Sequence, residues 1–347
     1  MSDPGNYWKE SITMEKQVIE SKERKVWLDL LRGTAVLFVI FGHIAKSERL
    51  FFSVTSPIKI PLFFMISGYL FGRKLGSAKS FFMSLLRHVV IPWMVLSLLW
   101  ARIPYEMIRG KWSNIPGLIY DYLSGKELWY MPCCIVAEIL FFLLLKLIRN
   151  KWILSAVVFG VAAGGYILSL NGLGDFMLVN VACTSQLFLL LGYLFRENEY
   201  SIREKLRIWM VAAGTALYIG LCALSQIYYP DGLIDAHHNK YDNIFLAAAM
   251  ILVGNLLLFR VAPHLPKLRW LVFVGQNALV FYILHYYIRI GLDKGLSMMK
   301  IHLPDNLLGY LIEMLIVCLL LTVVAYLIGR FIPWAAGKKK RPKKIDS

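Results

Sequence analysis

The sequence has little of the charged and polar material that a water-soluble protein needs. Charged residues make up 17% of its 347 residues, whereas hydrophobic residues make up 58%. This composition leaves too little polar surface to cover soluble domains of such length. The chain is therefore predicted to be all-α, a polytopic bundle of about ten membrane-spanning helices.

The signatures of several other function classes are also missing. The sequence shows no glycine-rich phosphate loop, no dinucleotide-binding fingerprint and no ordered serine, histidine and aspartate motif. Its five cysteines lie in apolar runs without metal-ligand spacing, so they are predicted to be buried thiols and no metal site is predicted. A cleaved signal is not predicted, because a polar segment of about 25 residues precedes the first apolar run.

The apolar runs divide the chain into a transmembrane domain and two tails. The candidate spans are 27–45, 57–72, 89–108, 128–149, 152–170, 177–195, 208–229, 244–260, 270–290 and 306–334. Residues 1–25 are predicted to be a polar cytoplasmic tail, 26–336 the transmembrane domain and 337–347 a basic cytoplasmic tail.

The distribution of basic residues predicts the orientation of the bundle. Of the 38 lysines and arginines, 26 fall on the side of the membrane that holds both termini when ten spans alternate. Positive residues are retained in the cytoplasm, so both termini are predicted to be cytoplasmic. The net charge of +16 is then explained by topology and by attraction to anionic lipid, and no nucleic-acid partner is predicted.

The first span carries three ionisable residues on one helical face. His43 is eleven positions after Arg32, a spacing that returns a helix to nearly the same face about 16 Å further along its axis. Asp29 lies one turn before Arg32. Considered separately, each residue fits a place at the membrane edge, where long side chains reach the interface. Their shared face favours one interior cavity that all three line.

These residues stand in a pattern that resembles a known family of membrane enzymes. LDLLRG with His43 eleven residues beyond its arginine, followed by PLFFMISGYLF, is similar to the acyltransferase-3 family. The resemblance continues in LRHVVIPW, in ELWYMPC and in VGQNALVFYILHYYI, and it extends from about residue 27 to residue 288. Two positions depart from the pattern: Lys59 stands where many relatives carry histidine, and His88 stands where arginine is common.

The resemblance implies an integral membrane O-acyltransferase, located in the cell membrane as a multi-pass protein. Its implied co-substrate is acyl-CoA, commonly acetyl-CoA, with no bound cofactor. The implied acceptor is a carbohydrate, a hydroxyl of a surface polysaccharide or of its lipid-linked precursor, and polysaccharide-assembly proteins are candidate partners. Some relatives carry an appended extracellular hydrolase-like domain, which is not expected here after the tenth span.

Acyl transfer needs a base for the hydroxyl proton and groups that stabilise developing negative charge. His43 is the candidate base, Arg32 positions the donor or stabilises charge, and Asp29 orients Arg32. The candidate substrate-binding residues are Arg73, Lys74, Arg87, His88, Ser67, Tyr69, Trp129, Glu138, Asn277 and His285. Gly68 has a simpler interpretation, close packing of helices.

Other polar residues in or near the spans have more ordinary explanations. Arg102 and Glu106 lie one turn apart and are predicted to form a structural ion pair. Glu313 is predicted to lie at the membrane interface. Glu138 lies well inside the fourth span and should face a cavity or a cation such as Arg32 or Arg102. His237 and its neighbour His238 are more typical of a polar loop than of a metal site.

Two other functions remain open from the sequence. A charged stripe inside a bundle also fits a secondary transporter of a small solute, although no half-length repeat and no matched pair of broken helices is evident. The second alternative is a non-catalytic partner in polysaccharide export.

Overall fold

The computed structural model describes residues 25–45, 48–74, 76–111, 114–199 and 207–338, without the side chains of 72–74. The predicted tails therefore lie almost wholly outside the described residues. The helices are α1 (Val26–Ile44), α2 (Arg49–Lys74), α3 (Ala78–Ile108), α4 (Ile115–Ser124), α5 (Tyr130–Leu147), α6 (Lys151–Leu170), α7 (Val179–Thr184), α8 (Gln186–Glu197), α9 (Ile208–Tyr228), α10 (Ile244–Val261), α11 (Arg269–Gln276), α12 (Ala278–Met298) and α13 (Leu307–Phe331).

The described part of the chain is a helical bundle of membrane-spanning length. Eight helices are long and apolar enough to cross a membrane, and the number reaches ten when each of two bent helix pairs counts as one span. One pair, Phe176–Thr184 with α8, bends by 47°, and α11 with α12 bends by 86°. The all-α class is confirmed, and the two bends were not predicted.

Several boundaries differ from the sequence-based spans. The second span begins at Arg49 and the third at Ala78, in both cases earlier than predicted, because the helices continue into polar sequence beyond the apolar run. The predicted loop 109–127 contains α4, a helix that begins after Asn114 with a proline in its first turn and ends at Gly125 in the left-handed region. The loop 230–243 contains a two-residue antiparallel ladder, β1 (Ile234–Asp235) with β2 (Lys240–Tyr241).

Helix α3 is irregular because two stretches adopt π-helical hydrogen bonding. These are Leu86–Val90 and Met94–Arg102, on either side of Pro92. The predicted ion pair on this helix is confirmed, with 3.3 Å between the Arg102 guanidinium and Glu106. Arg102 also lies 3.7 Å from Glu127, so its described carboxylate partners are these two rather than Glu138.

Two glycines bring α2 and α8 into backbone contact. A Cβ added to Gly68 would lie 2.0 Å from the carbonyl oxygen of Leu189, and one added to Gly192 would lie 1.9 Å from that of Met65. No larger residue fits at either crossing without moving a helix. The interpretation of Gly68 as a packing residue is therefore confirmed.

Both ends of the described chain lie at the same end of the bundle. The Lys25 ammonium donates to Glu199 at 2.6 Å, and the Lys338 ammonium donates to the Asn277 side chain at 2.5 Å. Asn277 adjoins Gln276, whose amide lies 3.4 Å from Asp29, within the first turns of α1. This arrangement fits an even number of spans, and the cytoplasmic location of both termini stays a prediction.

Candidate active site

A cavity of about 680 Å³ opens at the end of the bundle opposite Lys25 and Lys338. It lies between α1, the first half of α2, α9, α10, α12 and the 230–243 loop. Its polar lining residues are His43, Arg49, Ser53, Ser56, Lys59, Trp129, Ser225, Asp231, Asp235, His237 and Tyr282. Its size suits a ligand as large as a sugar or a short acyl chain.

The shape of the cavity depends on two prolines in α2. Pro61 has no amide hydrogen for the carbonyl of Pro57, and the Asn255 side chain donates to that oxygen at 2.9 Å instead. Pro57 likewise leaves the carbonyl of Ser53 without its helical partner, and the Cys222 thiol lies 3.9 Å from it. Side chains from α9 and α10 therefore satisfy the interrupted helix exactly where it lines the cavity, as polar backbone in a bilayer requires.

His43 lies in the last turn of α1 and faces the cavity. An arginine on α12 holds the end of this helix, because Arg289 Nη1 donates to the His43 carbonyl at 2.7 Å. The same guanidinium donates through Nε to Glu313 at 2.6 Å. Carbonyls of a last helical turn have no partner within the helix, so Arg289 both caps α1 and complements its dipole.

A second histidine lies beside His43. The ring of His285 is 5.0 Å from that of His43 between centroids, at an angle of 37°. His285 is buried, and its Nδ1 contacts the carbonyl of Tyr282 at 2.7 Å. A carbonyl only accepts, so Nδ1 carries the proton and Nε2 is left as a basic nitrogen. Among the described residues this Nε2 has no hydrogen-bond partner.

The outer rim of the cavity is formed by the 230–243 loop. The ring of His237 stacks on Trp129, with 5.1 Å between centroids and 20° between planes. Burial, and next the charge of His238, lower the pKa of His237, so its imidazole is neutral at pH 7. Burial raises the pKa of Asp235, but the hydrogen bonds from His238 outweigh it and hold this pKa below its usual value.

The other two residues of the predicted stripe do not line this cavity. Asp29 is buried and accepts from Arg32 Nη1 at 3.2 Å, near the opposite end of α1. Between the two ends, Val36 and Ile40 are fully buried in the helical core. The prediction that Asp29, Arg32 and His43 share one cavity is therefore wrong, because packed apolar side chains fill the middle of the helix face.

The remaining predicted site residues are divided between the core and the opposite end. Ser67 donates to the buried carboxylate of Glu138 at 3.0 Å. Tyr69 is buried against Trp27 and bonds through its hydroxyl to Lys25 and Glu199. Ser67, Tyr69 and Glu138 lie outside the His43 cavity.

Other candidate substrate-binding residues lie at the Lys25 end of the bundle. Arg87 and His88 are exposed on the first π stretch of α3, and His88 Nδ1 bonds the carbonyl of Ser84 at 2.9 Å. Asn277 lies at the α11–α12 bend and accepts from Lys338. The side chains of Arg73 and Lys74 lie outside the described residues.

Arg289 and Glu313 were not predicted to belong to the site. Glu313 was assigned to the interface, but it is buried and paired with Arg289. The signal available in the sequence was the spacing of His285 and Arg289, one turn apart on one span. Among the described residues, no group of three or more histidines, cysteines and carboxylates is arranged to hold a metal ion.

Comparison with known proteins gives one family match and one curated relative. The family model described as an acyltransferase domain, Acyl_transf_3, matches residues 25–330. A serine/alanine racemase of Enterococcus gallinarum is 26% identical over 299 residues, which is 76% of this chain and 40% of the relative. The chain thus spans about two fifths of the length of that relative. No solved structure matches the chain. Because the family model covers most of the sequence, this chain belongs to the acyltransferase-3 family of membrane proteins.

Proposed function

We propose that this protein transfers an acyl group, in the first instance acetyl, from acyl-CoA to a hydroxyl of a carbohydrate at the cell surface. The acceptor hydroxyl enters the cavity beside His43, and the donor approaches from the end of the bundle that carries Arg32, Arg87 and His88. Membership of an acyltransferase family supports the reaction class, and the identities of donor and acceptor belong to the proposal.

The observation that supports the proposal most is the position of His43. Its imidazole faces a sugar-sized cavity beside a second imidazole, at a helix end capped by Arg289. In the proposed step, His43 accepts the hydroxyl proton while the oxygen attacks the thioester carbonyl. The carbon–sulfur bond then breaks, and the CoA sulfur leaves with a proton from the imidazolium. His285 Nε2 is a second group able to accept or return that proton.

Arg32 is proposed to bind the donor. Asp29 orients its guanidinium through the 3.2 Å contact, and Gln276 approaches the other carboxylate oxygen. Planar guanidinium groups bind phosphate oxygens in pairs. The filled core between Arg32 and His43 means that the donor reaches the histidine only if side chains between them move.

Transport of a small solute is the second candidate function. The sequence arguments against it were the lack of a half-length repeat and of a matched pair of broken helices, and the bends of 47° and 86° show that two helices are in fact interrupted. Broken helices bind ions and substrates near the membrane midplane in many secondary transporters. The α11–α12 bend, however, lies beside Lys338 and Asp29 at one end of the bundle, which favours the enzyme.

Reconstitution of the purified chain in proteoliposomes tests the proposal. Acetyl-CoA is supplied at the Arg87 side, and free or lipid-linked glycans are supplied at the His43 side. We expect acylated glycan and free CoA from the purified chain, and neither from a His43→Ala variant of equal abundance. Solute uptake without thioester consumption would favour transport. Hydrolysis with glycan transfer only after addition of a membrane extract would show that a separate partner completes the reaction.

A further inference from the structure

We propose that Lys59 makes the His43 cavity a binding site for an acceptor that carries an oxyanion, a carboxylate or a phosphate, next to the hydroxyl that is acylated. That the ligand is an acyl acceptor rests on the proposed function. The presence of an anion-binding site does not depend on catalysis. It concerns one of the two positions at which the sequence departs from the pattern of the family.

The ammonium group of Lys59 lies in the cavity wall beside His43. A Cβ added to Gly42, the residue before His43, would lie 3.4 Å from Lys59 Nζ. The Nζ also lies 4.8 Å from the centroid of the Phe52 ring, and both residues line the cavity. Lys59 and His43 line the same cavity, so a ligand that fills it can contact both side chains.

The described carboxylates of the cavity are engaged elsewhere. Asp235 accepts from His238 at 2.7 Å and from two backbone amides of its own loop. Asp231, at the exposed rim, lies 3.8 Å from Arg49. Among the described residues no carboxylate forms an ion pair with Lys59, although Asp235 contributes at longer range.

A lysine in this position is costly unless a ligand compensates it. Lys59 lies between Pro57 and Pro61 in a helix long and apolar enough to span a membrane, and ionisable residues in such helices usually face a cavity and a partner group. Contact with the Phe52 ring stabilises a cation only partly. An oxyanion supplies both the opposite charge and acceptors for the three ammonium hydrogens. Lys59, which forms no ion pair with the described carboxylates of the cavity, therefore favours an anionic ligand over a neutral one of the same shape.

Two kinds of acceptor present such a group. A sugar acid carries a carboxylate on its ring, and a phosphorylated or lipid-linked sugar carries a phosphate. The cavity of about 680 Å³ accommodates one sugar ring with either substituent.

The first measurement requires no turnover. The purified full chain in nanodiscs is treated with an amine-acetylating reagent, and modification of Lys59 is followed by mass spectrometry. Methyl glucuronide and glucose 6-phosphate are the anionic probes, and methyl glucoside is the neutral control. We expect either anionic probe, or both, to slow modification of Lys59 at least fivefold, with no effect of the glucoside. Lys240, exposed and paired with Asp242, provides the internal control in the same digest.

The second measurement uses acyl transfer to anionic and neutral acceptors. Lys59→Gln is expected to reduce kcat/KM for the anionic acceptor about 10- to 100-fold, the range of a charge-assisted hydrogen bond, and to leave the neutral one within about threefold. Lys59→Arg should restore the preference, and Lys240→Gln should not alter it.

The outcomes separate this inference from the proposed function. Protection of Lys59 by anions in a protein that transfers no acyl group would refute the acyltransferase proposal and leave the anion site standing. Equal protection by all three probes, or none by any of them, would overturn the anion site. Transfer to neutral and anionic acceptors at the same rate in wild type and Lys59→Gln would overturn it as well, while the acyltransferase proposal survives.

Discussion

The contact between Arg289, Glu313 and the end of α1 gives a sharp prediction about catalysis. Glu313→Gln keeps an oxygen for Arg289 Nε but removes the charge that orients the guanidinium. Arg289→Gln removes the donor to the His43 carbonyl. We expect both variants to lower kcat for acyl transfer with little change in KM for acyl-CoA, because the donor is proposed to bind at the other end of α1.

The structure sets the magnitude of this effect. The two contacts, 2.6 Å to Glu313 and 2.7 Å to the His43 carbonyl, are short enough for strong hydrogen bonds. A hydrogen bond to a charged group contributes about 1.5–3 kcal/mol. The Arg289 side chain is 26% exposed and the Glu313 side chain 11%, so screening by solvent lowers the hydrogen-bond energy towards the lower end of this range. About 1.4 kcal/mol corresponds to a tenfold change in rate, and a displaced base adds to it, so kcat should fall about 10- to 100-fold.

The assay is single-turnover acyl transfer in proteoliposomes, with thermal unfolding of the same samples. Glu106→Gln is the matched control, since it weakens another partly buried ion pair, with Arg102 at 3.3 Å. The control should lower stability without a comparable loss of kcat. Partial recovery in Arg289→Lys would support positioning. Wild-type kcat in correctly folded Arg289→Gln and Glu313→Gln would refute the reasoning.

Three further predictions address the base, the topology and the helix crossing. His43→Ala should reduce the rate of acyl transfer at least 10²-fold, as loss of a general base does, while the protein remains at normal abundance in the membrane. Near-normal turnover of His43→Gln would show that His43 is a packing residue and not the base. Single cysteines at Lys79 and at His238 should react with impermeant reagents from the cytoplasm and from outside respectively, and the reverse result would invert the orientation. Gly192→Ala should lower the thermal midpoint, because its Cβ would lie 1.9 Å from a backbone oxygen, whereas Gly160→Ala, with nothing within 4 Å, should be neutral.

The helical class and the approximate number of spans could be predicted because both depend on local composition. A run of about twenty apolar residues signals a span wherever it occurs. The sequence did not predict the bend between α11 and α12, because its cause is distant in the chain. Gly275, in the last turn of α11, packs against α1, where an added Cβ would lie 1.8 Å from the carbonyl oxygen of Asp29.

The candidate site was predicted only in part for the same reason. His43, His285 and Trp129 were identified through the family resemblance, and the structure brings all three to the same end of the bundle. Periodicity placed Arg32 on the same face as His43, but periodicity does not reveal whether a neighbouring helix fills the space between them. Arg289 on α12 and Glu313 on α13 are 24 positions apart in sequence, and their pairing joins the two helices. Each residue alone resembles an ordinary interfacial charge.

The two prolines of α2 have a consequence for substitutions at position 59. The two carbonyls that lack a helical partner because of these prolines, those of Pro57 and Ser53, are contacted by the side chains of Asn255 and Cys222. Neither contact involves the side chain of Lys59. A substitution at position 59 therefore alters the charge of the cavity without disturbing the contacts that satisfy these two carbonyls. A single mutation at this position can therefore change the charge that the cavity presents, at small cost in stability.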